Sequence, residues 1–360
     1  MRRSILIVGG YGKVGGHIAR QLCHTTNHHL IIAGRSLEKA SASCRLLNGR
    51  AEPLQLELKG PVDPALLKRV AVVIMCHEQL DVSFAKQCLE LGIHYVDISA
   101  SYSWLARLEK LDEEAQASGA TAVLSVGFAP GLTNLMAAHA ARQLKRVDKL
   151  EIGILLGLGE AHGAAAIKWL FEELLQSFVL EGRSGSRKIR SFTERRSMLF
   201  AQIGRRSCYR FNFSDQHTLY EAKAAAEVGT YLGFDVEWMN RILALLQRIR
   251  ATALLRSRFV SQALTALVQK KSFGSSVCAI HVDATGEDSM GSSAKVQLSY
   301  TAEQEAVQTA AIAANVADQL MYGGYPSGVH HIEQLFALQA PLQADLISSL
   351  ALIAIHDMKL

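Results

Sequence analysis

The segment Gly10-Tyr11-Gly12-Lys13-Val14-Gly15 places three glycines at the spacing GxGxxG. Glycines so spaced let a chain turn tightly, bring bare backbone against a diphosphate and pack a helix closely on a strand. A helix that begins at such a turn also offers amide donors and its positive dipole end to phosphates. Gly10, Gly12 and Gly15, with Tyr11, Lys13 and Val14 between them, are therefore read as a dinucleotide-binding turn. Some 20 residues further on, an NAD site carries an acid for the ribose hydroxyls, whereas this chain has Gly34-Arg35-Ser36. A guanidinium grips a 2′-phosphate through paired donors, and a carboxylate would repel it. NADP(H) is the expected cofactor, with Arg35 and Ser36 in contact; Lys39 reads either as a further contact or as a solvated helix residue.

Ligands of open parallel sheets bind at the carboxyl ends of the strands. That rule selects Cys76, His77 and Glu78, then the span from Asp97 through Ser99 to Tyr102, then Gly127 to Gly131 with Pro130. Cys76, Ser99, Gly127 and Pro130 are expected to line the cofactor, although Cys76 also reads as a small buried residue. For catalysis the candidates are His77, whose imidazole suits proton transfer near neutrality, Asp97, and Tyr102, whose phenol can donate or relay. Each has a structural alternative: a loop histidine, a strand-end turn former and an aromatic packing beside Trp104. Nine cationic residues between Arg183 and Arg210 would suit a polyanionic or dicarboxylate substrate where one strand face presents them together, most of them forming a solvated face. His330, His331 and Glu333 form a local His-His-x-x-Glu run, but hydride transfer needs no metal and no further ligands stand at suitable spacing, so none is expected.

These residues need elements to hold them. Short β-branched runs at 5–8, 30–33, 53–57, 71–75, 95–98 and 122–125 read as strands of a parallel sheet. Val14, Ile18 and Leu22, and likewise Phe84, Cys88 and Leu91, repeat at helical spacing between them. Beyond Gly131 the pattern gives a helix over 132–144, a strand over 150–155, a long helix over 164–180, two or three antiparallel strands within 187–213, helices over 222–232 and 239–270, a hairpin joining 277–284 to 294–300, and an alanine-rich helix over 302–321. The fold class is thus α/β: an N-terminal Rossmann doubly wound parallel sheet with an inserted α+β second domain. The first domain takes residues 1–128 with 303–360 returning to it; residues 129–302 form the second.

Composition narrows the class further. With 360 residues, 49% of them hydrophobic, the chain can bury more than one core. A net charge of +5 favours anionic small molecules, and no helix-turn-helix or RNP-like motif supports a nucleic-acid partner. Six cysteines without CxxC spacing argue against zinc and disulfides and fit a reducing cytoplasm. The N-terminal apolar run is cut by glycines too early for a secretory signal. The apolar stretches 242–268 and 346–355 are interrupted by arginines or too short to span a bilayer, so no membrane association is expected.

The chain resembles the saccharopine dehydrogenase family. The resemblance rests on Gly9 to Gly15, on Ala33-Gly34-Arg35-Ser36, on His94-Tyr95-Val96-Asp97-Ile98-Ser99 and on Gly127-Phe128-Ala129-Pro130-Gly131-Leu132. It is weaker in the second half, where Asp215-Gln216-His217-Thr218-Leu219 and Gly328 to Glu333 share the pattern only. It implies a second domain that binds substrate and forms a homodimer, a last helix returning to the first domain, Asp97 beside the nicotinamide to orient cofactor amide or substrate amine, and reduction of an imine formed from an amino acid or amine. A carbonyl or alkene reductase on the same scaffold, and a non-catalytic NADP(H)-binding regulator, stay open as alternatives.

Overall fold

Four apolar residues in a row, Ile5 to Val8, cannot serve a sheet with one wet face. The strands β1 (Ser4–Val8), β2 (His29–Gly34) and β4 (Val70–Met75) are buried along almost their whole length, as expected of parallel strands covered by helices on both sides. The computed structural model describes residues 4–355 apart from 48, 60–61, 78, 161–163, 184, 250–273 and 340–351. Glu78, most of the helix expected over 239–270 and the apolar segment from 346 fall largely outside the described residues.

Strands β3 (Ala51–Gln55), β5 (His94–Asp97), β6 (Thr121–Leu124) and β15 (Gly328–His331) complete a seven-stranded sheet of order β15-β6-β5-β4-β1-β2-β3. All of its pairings are parallel. Strand order reverses between β1 and β4, which is where a doubly wound sheet opens a ligand crevice at its carboxyl edge. Helices α1 (Lys13–Thr25), α2 (Leu37–Arg45), α3 (Pro64–Leu67), α4 (Ser83–Glu90), α5 (Tyr102–Leu108) and α6 (Asp112–Ser118) make the crossovers, with a 3-10 turn at Glu109–Leu111 between the last two. In α1, Ile18, Ala19 and Leu22 are buried; in α4 the apolar face runs through Phe84, Ala85, Cys88 and Leu89. Leu91 was placed on that face by its spacing, yet it caps the helix and is exposed, because α4 ends at Glu90.

The described residues divide into two compact units, one of the residues up to Leu132 with Ala306–Gln339 and 352–355, the other within Thr133–Glu305. The alanine-rich helix lies over Glu305–Tyr322, and all of it beyond Glu305 is part of the first unit. Its small buried residues Ala306, Ala310, Ala313, Ala314 and Ala317 allow close packing.

The second unit is built on a six-stranded sheet of order β10-β11-β12-β7-β13-β14. Its strands are β7 (Arg146–Leu156), β10 (Arg195–Phe200), β11 (Gly204–Arg210), β12 (Glu227–Phe234), β13 (Val277–Glu287) and β14 (Ser293–Glu303). Only β7 and β12 run parallel; the other pairs are antiparallel. Helix α7 (Thr133–Ala141) packs on this sheet, α8 covers Ala164–Leu174, α9 Asp215–Glu221 and α10 Glu237–Arg248.

Two sequence expectations fail here, each for its own reason. The helix drawn over 164–180 stops at Leu174, and Ser177–Leu180 (β8) pairs with Arg187–Arg190 (β9); its alternating exposed and buried residues have the period of a strand. The helix drawn over 222–232 is mostly β12, buried at seven consecutive positions, so its apolar run carries no period. A third difference is β15, a short strand over residues to which the sequence pattern assigns no element: His330 and His331 lie in it, beside β6.

Candidate functional site

The glycine turn follows β1. Gly9 takes φ +80°, and Gly12 N–H donates to its carbonyl at 2.8 Å. A Cβ on Gly10 would lie 2.9 Å from Ile7 O, and one on Gly15 would press into the Gly9 carbonyl and lie 2.8 Å from Gly10 Cα. No side chain fits at either place. Gly12 caps α1 without any side-chain acceptor, and the first turn of that helix holds no acid, so its positive end faces the turn unopposed.

At the end of β2, Tyr11 does something the sequence reading had not assigned to it. Its ring lies across Gly34, where a Cβ would come within 2.5 Å of Tyr11 Cε1, and its hydroxyl accepts Ser36 N–H at 3.1 Å. Ser36 in turn caps α2, its Oγ accepting Lys39 N–H at 3.2 Å. Arg35 is thereby held on a fixed backbone, with Gln55 Nε2 donating to its carbonyl at 3.1 Å, while its exposed guanidinium has no partner among the described residues. A diphosphate cradle that any side chain would fill, and an unpaired guanidinium where a ribose acid would stand, fit NADP(H).

At the carboxyl end of β4, Cys76 N–H donates to Val8 O at 2.9 Å. Burial, reinforced by the charge of Asp97, pushes its thiol well up, so it is neutral at physiological pH. His77 is exposed on the following loop and has no hydrogen-bond partner among the described residues.

Asp97 ends β5 and is fully buried. Its Oδ1 accepts Ser99 N–H at 2.8 Å; its Oδ2 accepts Trp104 Nε1–H at 3.2 Å and Tyr95 O–H at 3.5 Å. Burial raises its pKa, and the donors from Ser99, Trp104 and Tyr95 oppose the rise. Both carboxylate oxygens thus hold the β5–α5 connection together, with Ser99 as one of the clasps. Tyr102 opens α5, half-buried. Sequence reasoning missed the role of Trp104, although an indole seven residues after a strand-end acid is a usable signal.

Beyond β6 the chain folds back on itself. Ser125 takes φ +55° and Gly131 φ +132°, and a Cβ on Gly131 would lie 3.0 Å from Ser125 O. Val126 N–H donates to Asp97 O at 3.1 Å, Leu132 N–H to Gly127 O at 2.7 Å and Phe128 N–H to Thr309 Oγ1 at 3.0 Å. Gly127 and Pro130 are buried in this turn, with the Ala129–Pro130 peptide cis. Next to it, His331 bridges Ser125 Oγ (2.9 Å from Nδ1) and Glu109 Oε1 (2.9 Å from Nε2). Neither Ser125 nor Glu109 was singled out from the sequence. Among the described residues no group of three His, Cys, Asp or Glu side chains is placed to hold a metal ion.

In the second unit the arginine-rich strands are largely paired within the chain. Arg183 bonds Asp148 at 3.2 Å, Arg187 bonds Glu194 at 3.1 Å, Arg196 bonds Glu151 at 2.9 Å and the buried Arg210 bonds Glu194 at 3.3 Å. Arg190 donates to Gln247 O and Arg195 to Ser207 Oγ. The single anion-binding face suggested by their alternation is thus spent mostly on internal partners. No helix among the described residues is long and apolar enough to cross a membrane.

A parallel sheet with a GxGxxG turn, an unpaired arginine at the end of its second strand and an acid-anchored β5 connection defines a dinucleotide-binding oxidoreductase fold. Residues 5–123 match the family model of the saccharopine dehydrogenase NADP binding domain, so the chain is saccharopine dehydrogenase-like through this domain, and NADP(H) is its cofactor. Across the whole fold it is similar to the apo L-Glu-forming saccharopine dehydrogenase of Saccharomyces cerevisiae, with 13% identity, a TM-score of 0.65 and coverage of 92% of this chain and 94% of that one. A probable dehydrogenase from Thermotoga maritima matches over 91% of this chain and 90% of its own, at 11% identity and a TM-score of 0.48. At such identities the likeness to the yeast enzyme is one of fold.

Proposed function

We propose that this protein is an NADPH-dependent reductase of the saccharopine dehydrogenase type that reduces an imine formed from an amino acid or amine. The observation that carries the reading is the saccharopine dehydrogenase-type NADP-binding domain, with Arg35 unpaired at the end of β2. NADPH, when bound, supplies the hydride.

The chain's own residues do the rest. Gly10, Gly12 and Gly15 leave room for the diphosphate, the α1 terminus with Lys13 and Val14 meets its charge, and Arg35 and Ser36 receive the 2′-phosphate. Cys76, Ser99, Gly127 and Pro130 shape the nicotinamide end. Asp97 acts as a positioning residue, because its buried carboxylate is occupied by three donors of its own chain. His77, exposed at the carboxyl end of β4, and Tyr102 are the groups left to meet substrate. The second unit supplies substrate contacts and the surface of a homodimer, and the protein works in the cytoplasm.

The test is NADPH consumption, followed at its nicotinamide absorbance, with mixtures of amino acids or amines and 2-oxo acids. Consumption that needs both components supports imine reduction. Consumption with a 2-oxo acid or an alkene alone replaces it with another acceptor.

A further inference from the structure

We propose that helix α10 docks this protein on the surface of an anionic lipid bilayer. The inference stands apart from the imine-reductase reading and does not depend on it.

Surface helices of globular proteins bury their apolar stripe and turn polar residues to water. Helix α10 does the reverse. Its buried side chains are Asn240 and Gln247, which lie on one side of the helix. Asn240 Oδ1 accepts Phe234 N–H and its Nδ2 donates to Phe234 O, both at 2.8 Å. Gln247 Nε2 donates to Leu174 O, and Gln247 O accepts a hydrogen bond from Arg190 Nη1 at 2.8 Å. Amide hydrogen bonds thus fix α10 to the second unit by its polar side.

On the opposite side Trp238, Ile242, Leu245 and the cap residue Ile249 follow at spacings of four, three and four, a single stripe along the helix. They are 48%, 45%, 57% and 61% exposed. One exposed leucine needs no explanation, but four large apolar side chains in line mark a contact surface.

Charge selects what the stripe fits. Arg241 and Arg248 stand along one flank of it, both exposed. Arg241 lies 3.7 Å from Glu237, the acid of the first turn, and Arg248 has no acidic partner among the described residues. Cations left over from the arginine-rich strands border the same helix. Arg190 reaches it through Gln247, and Arg195, which bonds Ser207 Oγ rather than an acid, lies across Tyr209. Burial is the main influence on the Tyr209 phenol, and Arg195, Glu237 and Arg241 are the next charges to act on it. The surface is therefore apolar along one line and basic beside it.

A second copy matches this poorly. The stripe reads the same in both directions, so two antiparallel α10 helices would join Trp238 to Ile249 and Ile242 to Leu245. The same pairing sets Arg241 of one copy beside Arg248 of the other, and like charges oppose it. A bilayer with acidic headgroups satisfies both features at once. The stripe enters the acyl boundary while the guanidinium groups stay among the phosphates, as interfacial helices lie. Trp238 heads the stripe, and indoles favour headgroup depth. Lying on a bilayer requires neither the length nor the uniform hydropathy of a spanning segment.

The chain is sedimented with vesicles of phosphatidylcholine, alone or mixed with phosphatidylglycerol, at low and high salt. Binding to the mixed vesicles is expected, weakened by salt and far weaker with phosphatidylcholine alone. A cation close to an anionic surface contributes about fivefold in affinity, so Arg241→Gln with Arg248→Gln should lose about 25-fold. Ile242→Gln with Leu245→Gln should abolish sedimentation and leave NADPH affinity, native mass and melting temperature unchanged, since both positions face solvent. No binding to phosphatidylglycerol vesicles, or binding that survives both pairs of substitutions, would overturn the proposal. A smaller native mass in the Ile242→Gln, Leu245→Gln protein would overturn it in favour of a second copy, and a lower melting temperature in favour of another part of this chain.

Discussion

Replacing Arg35 by alanine isolates the 2′-phosphate contact almost cleanly. The guanidinium is exposed and has no partner within the chain, while the carbonyl that Gln55 holds survives the change. The fold should therefore lose no more than about 0.5 kcal/mol. What disappears, on the proposed assignment, is a fork of donors for the 2′-phosphate. A hydrogen bond to a charged group is worth about 1.5–3 kcal/mol, and solvent at this surface holds the pair of bonds near the lower end, for a total of about 2 kcal/mol. That converts to about a thirtyfold rise in the NADPH dissociation constant. NADH lacks the phosphate and should change by less than about twofold, a shift within about 0.5 kcal/mol. Arg35→Lys, which keeps the charge but not the fork, should fall between. Titration calorimetry with both nucleotides at two salt concentrations is the assay, since the lost part should be the salt-sensitive part. Equal losses for NADPH and NADH would refute the assignment.

Four further outcomes follow from the geometry. Gly15→Ala should lower the melting temperature and abolish NADPH binding, since its Cβ meets backbone on two sides, whereas Gly16→Ala, whose nearest neighbour would be 3.7 Å away, should be neutral or stabilising by about 0.5 kcal/mol. Trp104→Phe removes a donor from the buried Asp97 and should cost about 1.5–3 kcal/mol by urea unfolding, with NADPH affinity falling less than in Arg35→Ala. Tyr11→Phe leaves Ser36 N–H without its acceptor, about 1 kcal/mol, and should weaken NADPH more than NADH. Burial lowers the pKa of His217 from 6.5 to about 4, so its neutral form is favoured in the fold. Stability held above pH 6.5 should drain away as pH falls towards 4, by about 3 kcal/mol, and His217→Gln should flatten that slope in acid-unfolding curves.

The first βαβ unit was legible because its constraints are local: Gly10, Gly12 and Gly15 collide with backbone within six residues, and Arg35 ends the very next strand. Residues 222–232 were misread because β12 is buried on both faces, and a continuous apolar run has neither helical nor strand period. β15 escaped for want of length, being four residues behind a glycine and proline turn. The line Ser125–His331–Glu109 spans more than 200 residues of sequence, with separations of 206 and 222, and exists only through the pairing of β15 with β6. The turn at Asp97 was one of its two sequence readings, but the Tyr95 and Trp104 donors were not legible, lying two residues before it and seven after in conformations the sequence does not announce. The arginines of β9 to β11 advertised an anion site because their acidic partners Asp148, Glu151 and Glu194 are spread over other strands and turns.

The most direct test of the central claim follows the hydride itself. NADPH carrying deuterium at the transferable C4 position is incubated with the protein and the amine and 2-oxo acid pair that supports its oxidation, and the product is analysed by mass spectrometry and NMR. The account predicts a secondary amine bearing the deuterium on the carbon bonded to nitrogen. Deuterium on a carbinol carbon, or a product without deuterium while NADPH is consumed, would contradict it.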